Sequence, residues 1–479
     1  MNTRIVGNIL GKVLLIEAAL MLLPLVCSAC YGESVLPFVW PMGMLCAAGG
    51  LLTWLTTQSG ELYAKEGFVC VGASWVLMSV FGSLPFVFSG DIPRWVDAFF
   101  ETVSGFTTTG ATILPGVEGL HRGVQFWRLF THWIGGMGVL VFIMAVLPSS
   151  GAHYMHIMRA EVPGPTVGKL VPRIRKTDRI LYLISIALTL LEMVFLLFGG
   201  MSFYEALLHA FATAGTGGFS TRNASIAAYD SVYIEMVIAV FMMIFGVNFN
   251  IYYLLLLGQA RSVVKSEELR TYLGIVAVST VFIAGNIASR AGGFGQGLRY
   301  AFFQVNTIMS TTGFATADFN AWPEFSRFWL FLLMFVGGCA GSTAGGMKLS
   351  RVLILLKSWA FEMKKLVLPS RVRRIWFESK PVEDETVKSV HVFFAAYMMV
   401  LLLSGLLISL DGLDFTTNLT ASLACISNVG PGLSLVGLMG NFAMFSPGSK
   451  IVLSLEMLLG RLEIFPMMYL LSPRVWRKR

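Results

Sequence analysis

The stretch that decides the fold is Ala98-Phe99-Phe100-Glu101-Thr102-Val103-Ser104-Gly105-Phe106-Thr107-Thr108-Thr109-Gly110-Ala111-Thr112. It is an apolar segment too short to cross a bilayer, and it runs into a Thr-rich turn that contains a glycine. Three other stretches align with it. They run from Ala206 to Gly218-Phe219-Ser220, from Ala301 to Gly313-Phe314-Ala315-Thr316, and from Asn418 to Gly430-Pro431-Gly432. In each, twelve residues separate the first position from the aligned glycine, and the glycines stand 108, 95 and 117 residues apart. A single segment of this kind reads as small residues packing helices closely. Four in register, each between two longer apolar runs, argue for a repeated unit of span, short helix, glycine turn and span.

Ten runs around these segments have the roughly 20 mostly apolar residues that a membrane crossing needs. They are 8–31, 35–57, 67–89, 124–148, 179–200, 232–258, 271–289, 325–356, 391–411 and 449–471. The run 325–356 is long and interrupted by Gly337-Gly338 and by the glycines from Gly341 to Gly346. This divides the chain into two N-terminal transmembrane helices (1–66) and four pore repeats at 67–178, 179–268, 269–388 and 389–479, the third carrying a gating loop. The expected fold is an all-α polytopic membrane protein.

Composition agrees with that class. Hydrophobic residues make up 56% and charged residues 13%, about half the usual share of roughly 25%, and mean hydropathy is +0.72. A soluble fold could not cover its surface with so few charges, and 37 Phe and 11 Trp exclude disorder. The net charge of +8 is mainly a record of topology. Basic residues gather at 149–179 (including Arg159, Lys169, Arg173 and Arg175), at 259–270, at 357–388 and in the tail from Arg474. With ten spans these segments and both termini fall on one side, which the positive-inside rule makes the cytoplasm. Nothing calls for a nucleic-acid partner. Arg4 and Lys12 before an apolar run resemble a signal peptide superficially, but read as the start of a first span. Cys27 and Cys30 read as small residues at a helix end.

Short helices between full spans read as re-entrant segments. Irregular backbone at membrane depth survives only where it is buried in protein or lines a cavity. Four such segments imply a pore. A dehydrated cation needs a ring of oxygen ligands, which backbone carbonyls supply in potassium-selective filters. Glycine lets the backbone turn carbonyls inward, because it reaches positive φ without a Cβ clash. The carbonyl ends of the short helices favour cations in the cavity.

The glycine-rich run from Gly341 through Gly345, Gly346 and Lys348 distantly resembles a phosphate-binding loop. It is one residue too long, and no strand precedes it. It reads as a flexible plug beneath the third glycine turn. Arg461 lies within the last run, where an arginine faces a cavity or an acidic partner, here Glu456 or Glu463. Glu17 and Glu192 read as packing partners, and Asn248 and Asn250 as inner-pore residues. The sequons at Asn223 and Asn418 fall at re-entrant segments and are set aside. No catalytic constellation and no transition-metal spacing is present in the sequence, and no resident cofactor is expected.

The sequence resembles the bacterial TrkH/TrkG potassium-uptake proteins of the Trk/Ktr/HKT superfamily over nearly its full length. The resemblance is carried by Phe99-Phe100-Glu101 with Thr107 to Thr112, Gly135-Gly136-Met137-Gly138, Arg159 to Pro165, and Gly217 to Thr221. Ala301 to Gln304, Gly337 to Thr343, Asn428 to Gly432 and Gly460-Arg461-Leu462 extend it. It implies four pseudo-symmetric repeats around one pore. It assigns K+ filter positions to Thr108, Thr109 and Gly110; Thr216, Gly217 and Gly218; Thr311, Thr312 and Gly313; and Asn428, Val429 and Gly430. It implies a gate at 337–347 with Arg461 beside it, a homodimer in the bacterial inner membrane, and a cytosolic TrkA-like nucleotide-binding ring on the cytoplasmic face. In plant relatives a Ser at the first filter glycine favours sodium. All four positions here are Gly, which fits K+ as the transported ion. The second and fourth segments depart from the Thr-Thr of the others. The rival readings are an H+- or Na+-coupled K+ symporter, which would ordinarily be built from two halves, and a membrane-embedded enzyme, for which no carboxylate pair, metal cluster or nucleophile is found.

Overall fold

Prolines shape the first spans in the computed structural model, which describes residues 3–56, 64–138, 174–367 and 374–473. Helices α1 (Thr3–Leu20) and α2 (Leu22–Cys30) form one stretch that steps at Met21, and α3 (Leu36–Leu55) returns. Helices α4 (Ala64–Gly82) and α5 (Leu84–Ser89) form the next, stepping at Ser83. Proline lacks an N–H, and its ring crowds the carbonyl four residues earlier. Pro24 and Pro85 therefore account for both steps. Helices α1 and α3 cross at Gly11 and Gly49, where a Cβ on either would lie 2.8 Å from the other's carbonyl oxygen. Such close backbone approach is the usual use of small residues in membranes. Asn8 Nδ2 donates to Thr56 O across the same crossing at 3.0 Å.

The four repeats follow. In the first, α4–α5 leads to the short α6 (Trp95–Phe106), the first glycine turn, and α7 (Arg122–Gly136). The second is α8 (Ile174–Phe198), short α9 (Phe203–Gly215), α10 (Val232–Phe245) and α11 (Phe249–Leu256), with α12 (Ala260–Lys265) leading out. The third is α13 (Glu267–Ile287), short α14 (Phe294–Met309), α15 (Glu324–Val336), a loop over 337–348 and α16 (Leu349–Val367). A hairpin of β1 (Trp376–Phe377) and β2 (Lys380–Pro381), with Trp376 opposite Pro381, precedes the fourth. That repeat is α17 (Asp384–Ile408), short α18 (Phe415–Ile426), α19 (Pro447–Arg461) and α20 (Phe465–Leu471). The chain is thus a predominantly helical multi-pass membrane protein of four such repeats, preceded by two N-terminal transmembrane helices.

The expected uninterrupted spans require correction. Among the described residues, six helical stretches are long and apolar enough to cross a bilayer, and the α10–α11 pair makes a seventh, bent by 89°. The run expected over 232–258 is therefore broken at Gly246 to Asn248, and the run over 449–471 is broken at Leu462 to Ile464. With 337–348, this puts a break in the span after each of the last three glycine turns. In the first repeat α7 ends at the glycine pair Gly135-Gly136. Two of these spans approach the backbone of their short helices closely. A Cβ on Gly135 would lie 1.7 Å from Phe106 O, and one on Gly460 would lie 2.0 Å from Ile426 O. Phe106 and Ile426 are the last residues of α6 and α18, so the second span of each of these repeats passes directly under its short helix.

Two of the short helices carry side-chain N-caps. Ser202 Oγ accepts from Glu205 N at 3.3 Å, and Asp414 Oδ2 from Thr417 N at 2.9 Å. The basic residues Arg159, Lys169, Arg173, Arg371 and Arg373, the Arg159 to Pro165 stretch, the inner end of the expected span 124–148 and the tail from Arg474 lie outside the described residues.

Candidate functional site

Each short helix runs into a segment with the same backbone signature. Thr108, Thr216, Thr311 and Asn428 have φ of 55°, 56°, 56° and 52°. Two residues on, Gly110, Gly218, Gly313 and Gly430 have φ of 81°, 75°, 84° and 92°. Successive carbonyls of an ordinary strand point to opposite sides. Placing alternate residues in the left-handed region turns them toward one side. A non-glycine residue there costs roughly 1–2 kcal/mol. All four such residues are fully buried, so packing holds them in place.

The four segments close into a ring. A Cβ on Gly110 would lie 2.0 Å from Gly217 O, on Gly218 2.0 Å from Thr312 O, on Gly313 2.3 Å from Val429 O, and on Gly430 2.4 Å from Thr109 O. The contacts therefore run from repeat one to two, three, four and back to one. Each glycine is required because a neighbouring carbonyl fills the space a side chain would need. In this order repeats one and three stand opposite each other, and their side chains match. Thr107 and Thr109 hydroxyls bond at 2.7 Å, as do those of Ser310 and Thr312. The fourth segment is tied to the first by Asn428 Nδ2, which donates to Thr109 Oγ1 at 2.9 Å.

Behind the ring, a side chain of each short helix holds the strand that leaves the glycine. Glu101 accepts from Thr112 Oγ1 at 2.8 Å and from Ile113 N at 3.0 Å. His209 Nε2 meets Ser220 Oγ at 3.0 Å, Gln304 Nε2 donates to Ala317 O at 3.2 Å, and Thr420 Oγ1 accepts from Leu433 N at 2.9 Å. Glu101, His209 and Gln304 occupy the same aligned position. Glu101 is fully buried and pairs with the buried Arg128 at 2.7 Å. Arg128 also donates to Ser220 O at 3.3 Å and stands 3.5 Å over the Phe219 ring. The pair thereby joins the first two segments. A cavity of about 270 Å3 lies against all four ring glycines.

On the other side of the ring sits the loop 337–348. Gly345 N donates to Thr311 Oγ1 at 2.6 Å, and Gly346 N to Ser427 O at 2.8 Å. The loop is pinned to the second repeat's break, where Cys339 N donates to Gly246 O at 2.9 Å and Phe249 N to Gly341 O at 3.1 Å. Asn248 caps α11 at that break and lies beside Gly341, while Asn250 is exposed. Lys348 is buried at a φ of 72°, its Nζ donating to Ala344 O. Arg461 does not pair with Glu456 or Glu463 as one reading of the sequence had it. Its guanidinium donates to Thr343 O at 2.8 Å in the loop, and to Gly135 O at 2.6 Å and Gly136 O at 3.3 Å at the end of α7. One side chain thus spans the loop and the end of α7. Glu456 instead accepts from Ser422 Oγ at 2.6 Å.

Several residues at this site escaped the sequence reading. Arg351 forms a bidentate pair with Glu463, which ties the loop's exit to the fourth repeat's break, and Nη1 also donates to Met347 O at 3.1 Å. Glu268 Oε1 accepts from Ala340 N at 2.8 Å, and its own N–H donates to Glu378 at the hairpin turn at 2.9 Å. The partners stand 112 residues apart for Arg351 and Glu463, so no local pattern announces them. Cys27 and Cys30 are unbonded. Glu17 and Glu192 are buried in the helix packing.

The chain is similar to known proteins over its full length. A family model described as TrkH, cation transport protein, matches residues 38–277 and 278–478. The Trk system potassium uptake protein TrkH of Escherichia coli K12 is 36% identical, covering 100% of both chains. The TrkG protein of the same organism is 32% identical, again over 100% of both. The crystal structure of the potassium transporter TrkH from Vibrio parahaemolyticus superposes with a TM-score of 0.90 at 32% identity, covering 100% of each chain.

Proposed function

The chain belongs to the TrkH family of cation transport proteins, and from that premise we propose that it takes up K+ through the ring of four glycine-bearing segments. The observation that carries this reading is the closure of the ring, in which the carbonyls of Thr109, Gly217, Thr312 and Val429 each abut the glycine of the repeat before it around the ring. Carbonyl oxygens so arranged replace the water shell of a K+ ion. The twelve residues from Thr108 to Gly110, Thr216 to Gly218, Thr311 to Gly313 and Asn428 to Gly430 form the filter. Membrane potential drives entry, at about 2.3 kcal/mol per charge per 100 mV. The repeats at 67–178, 179–268, 269–388 and 389–479 act as one pore.

The loop 337–348 is the gate in its closed position, with Gly341, Gly345 and Gly346 supplying its bends and Arg461 as its latch. The protein resides in the bacterial inner membrane as a homodimer with both termini cytoplasmic. A cytosolic TrkA-like nucleotide-binding ring docks on the basic loops at 149–179 and 357–388 and controls the gate. The hydrogen-bonded path from Glu378 in the cytoplasmic hairpin through Glu268 to Ala340 of the loop supports such control. The test is 86Rb+ uptake by purified protein in liposomes at set potentials. Potential-driven uptake, competed by K+ and indifferent to pH or Na+ gradients, is expected. Uptake that requires either gradient would replace this reading with a coupled carrier.

A further inference from the structure

The second filter segment is the one that lacks a side chain at its middle position, Gly217. In the first and third segments that position is a threonine with an intrasegment hydrogen bond, and in the fourth it is Val429. The structure shows what occupies the space. A Cβ on Gly217 would lie 2.2 Å from Cγ, 2.4 Å from Cδ2 and 2.4 Å from Nδ1 of His132. His132 is fully buried in α7, and its ring stacks 4.2 Å from the Phe219 ring at an interplanar angle of 32°.

Both ring nitrogens are engaged with the filter backbone. Phe219 N donates to Nε2 at 3.2 Å, so Nε2 carries no proton. Nδ1 lies 2.7 Å from Gly105 O, so Nδ1 holds the proton and donates it there. The neutral imidazole therefore bridges the end of the first short helix and the strand just past Gly218. It bears on the Gly217 backbone, whose carbonyl is the one that abuts Gly110.

From this geometry we propose that His132 is a positioning residue for the filter: its imidazole replaces the side chain missing at Gly217 and holds that segment's carbonyls at the spacing that selects K+. The inference rests on the filter reading above and deepens it. It explains why a segment with Gly217 in place of threonine belongs in a selective ring. The replacement for the missing threonine comes from the preceding repeat.

The experiment measures 86Rb+ uptake into liposomes, competed by K+ or Na+, for the full-length protein and its variants. His132→Leu fills similar volume but makes neither hydrogen bond. It is expected to lower the preference for K+ over Na+ by about tenfold, the size of one buried hydrogen bond, while uptake persists. His132→Gln keeps an acceptor near the Nε2 position and is expected to retain most of the preference, which a purely space-filling role would not require. Gly217→Ala alone is expected to abolish uptake through its clash with the ring, and Gly217→Ala with His132→Ala to recover it. That pair keeps the proposal testable if His132→Leu does not fold. Wild-type selectivity in folded His132→Leu overturns the proposal, as does a double variant no better than Gly217→Ala. Gly110→Ser is read alongside. Unchanged selectivity there removes the filter reading itself, whereas lost selectivity there with none lost in His132→Leu removes only the role of His132.

Discussion

Replacing Arg461 by Gln is the perturbation that most directly probes the proposed gate. The guanidinium joins Thr343 O in the loop to Gly135 O and Gly136 O beneath the first short helix, at 2.8, 2.6 and 3.3 Å. A hydrogen bond involving a charged group contributes about 1.5–3 kcal/mol. Only the bond to Thr343 O holds the loop itself, so the closed loop loses about 1.5 kcal/mol, the low end because Gln keeps one donor group. That is a factor of about 12 in the open-to-closed ratio. A gate closed about 99% of the time would then be open roughly 11% of the time. The assay is the initial rate of 86Rb+ uptake into liposomes at a fixed inside-negative potential. A rise of about tenfold is expected. Arg461→Lys separates two roles of the residue. Lysine keeps the charge but not the planar fork, so it should give an intermediate rate if hydrogen bonds latch the loop and the wild-type rate if charge alone is the barrier. Equal or lower uptake in Arg461→Gln with an unchanged melting temperature would refute the latch.

Other outcomes follow from the same geometry. Gly110→Ser puts a side chain into a space 2.0 Å from Gly217 O at a φ of 81°, and K+/Na+ discrimination in uptake competition should weaken; full discrimination would count against the ring. Glu101→Gln leaves Arg128 buried without its charge partner. A fall in stability of about 3–5 kcal/mol, read as a lower melting temperature in detergent, is expected, and an unchanged melting temperature would contradict the account of that pair. Glu268→Ala frees Ala340 N and unhooks the loop from the hairpin turn at Glu378. Basal uptake should rise about tenfold, the effect of one hydrogen bond to a charged group, and no rise would sever the proposed path from hairpin to gate.

The repeat was legible because its signal is local. Twelve residues from the first aligned position to the glycine recur four times, and a short apolar segment between two full spans has few structural outcomes. The left-handed backbone at Thr108, Thr216 and Thr311 was not legible, because a β-branched residue is disfavoured at positive φ, and Asn428, a type that does visit that region, is the exception among the four. Neither were the breaks at Gly246 and at Leu462 to Ile464, because hydropathy averages over a glycine. The steric demand that puts Gly460 under Ile426 O exists only once the short helix has turned back into the membrane. Arg461 was singled out as a charge at membrane depth, but its partners proved to be carbonyls of two distant repeats and not the acids nearby in the chain. His132 drew no notice, as a lone histidine in an apolar helix is ordinarily core. The only hint was Gly217 itself, a missing side chain in a segment whose relatives in the chain carry one.

The central claim is that the four segments form one cation site, and Rb+ anomalous diffraction from crystals of the protein tests it most directly. The account predicts an anomalous peak on the ring axis, within coordination distance of the carbonyl oxygens of Thr109, Gly217, Thr312 and Val429 and absent when Na+ replaces Rb+. An intact ring with no Rb+ at its centre, or with Rb+ bound elsewhere in the protein, would contradict it.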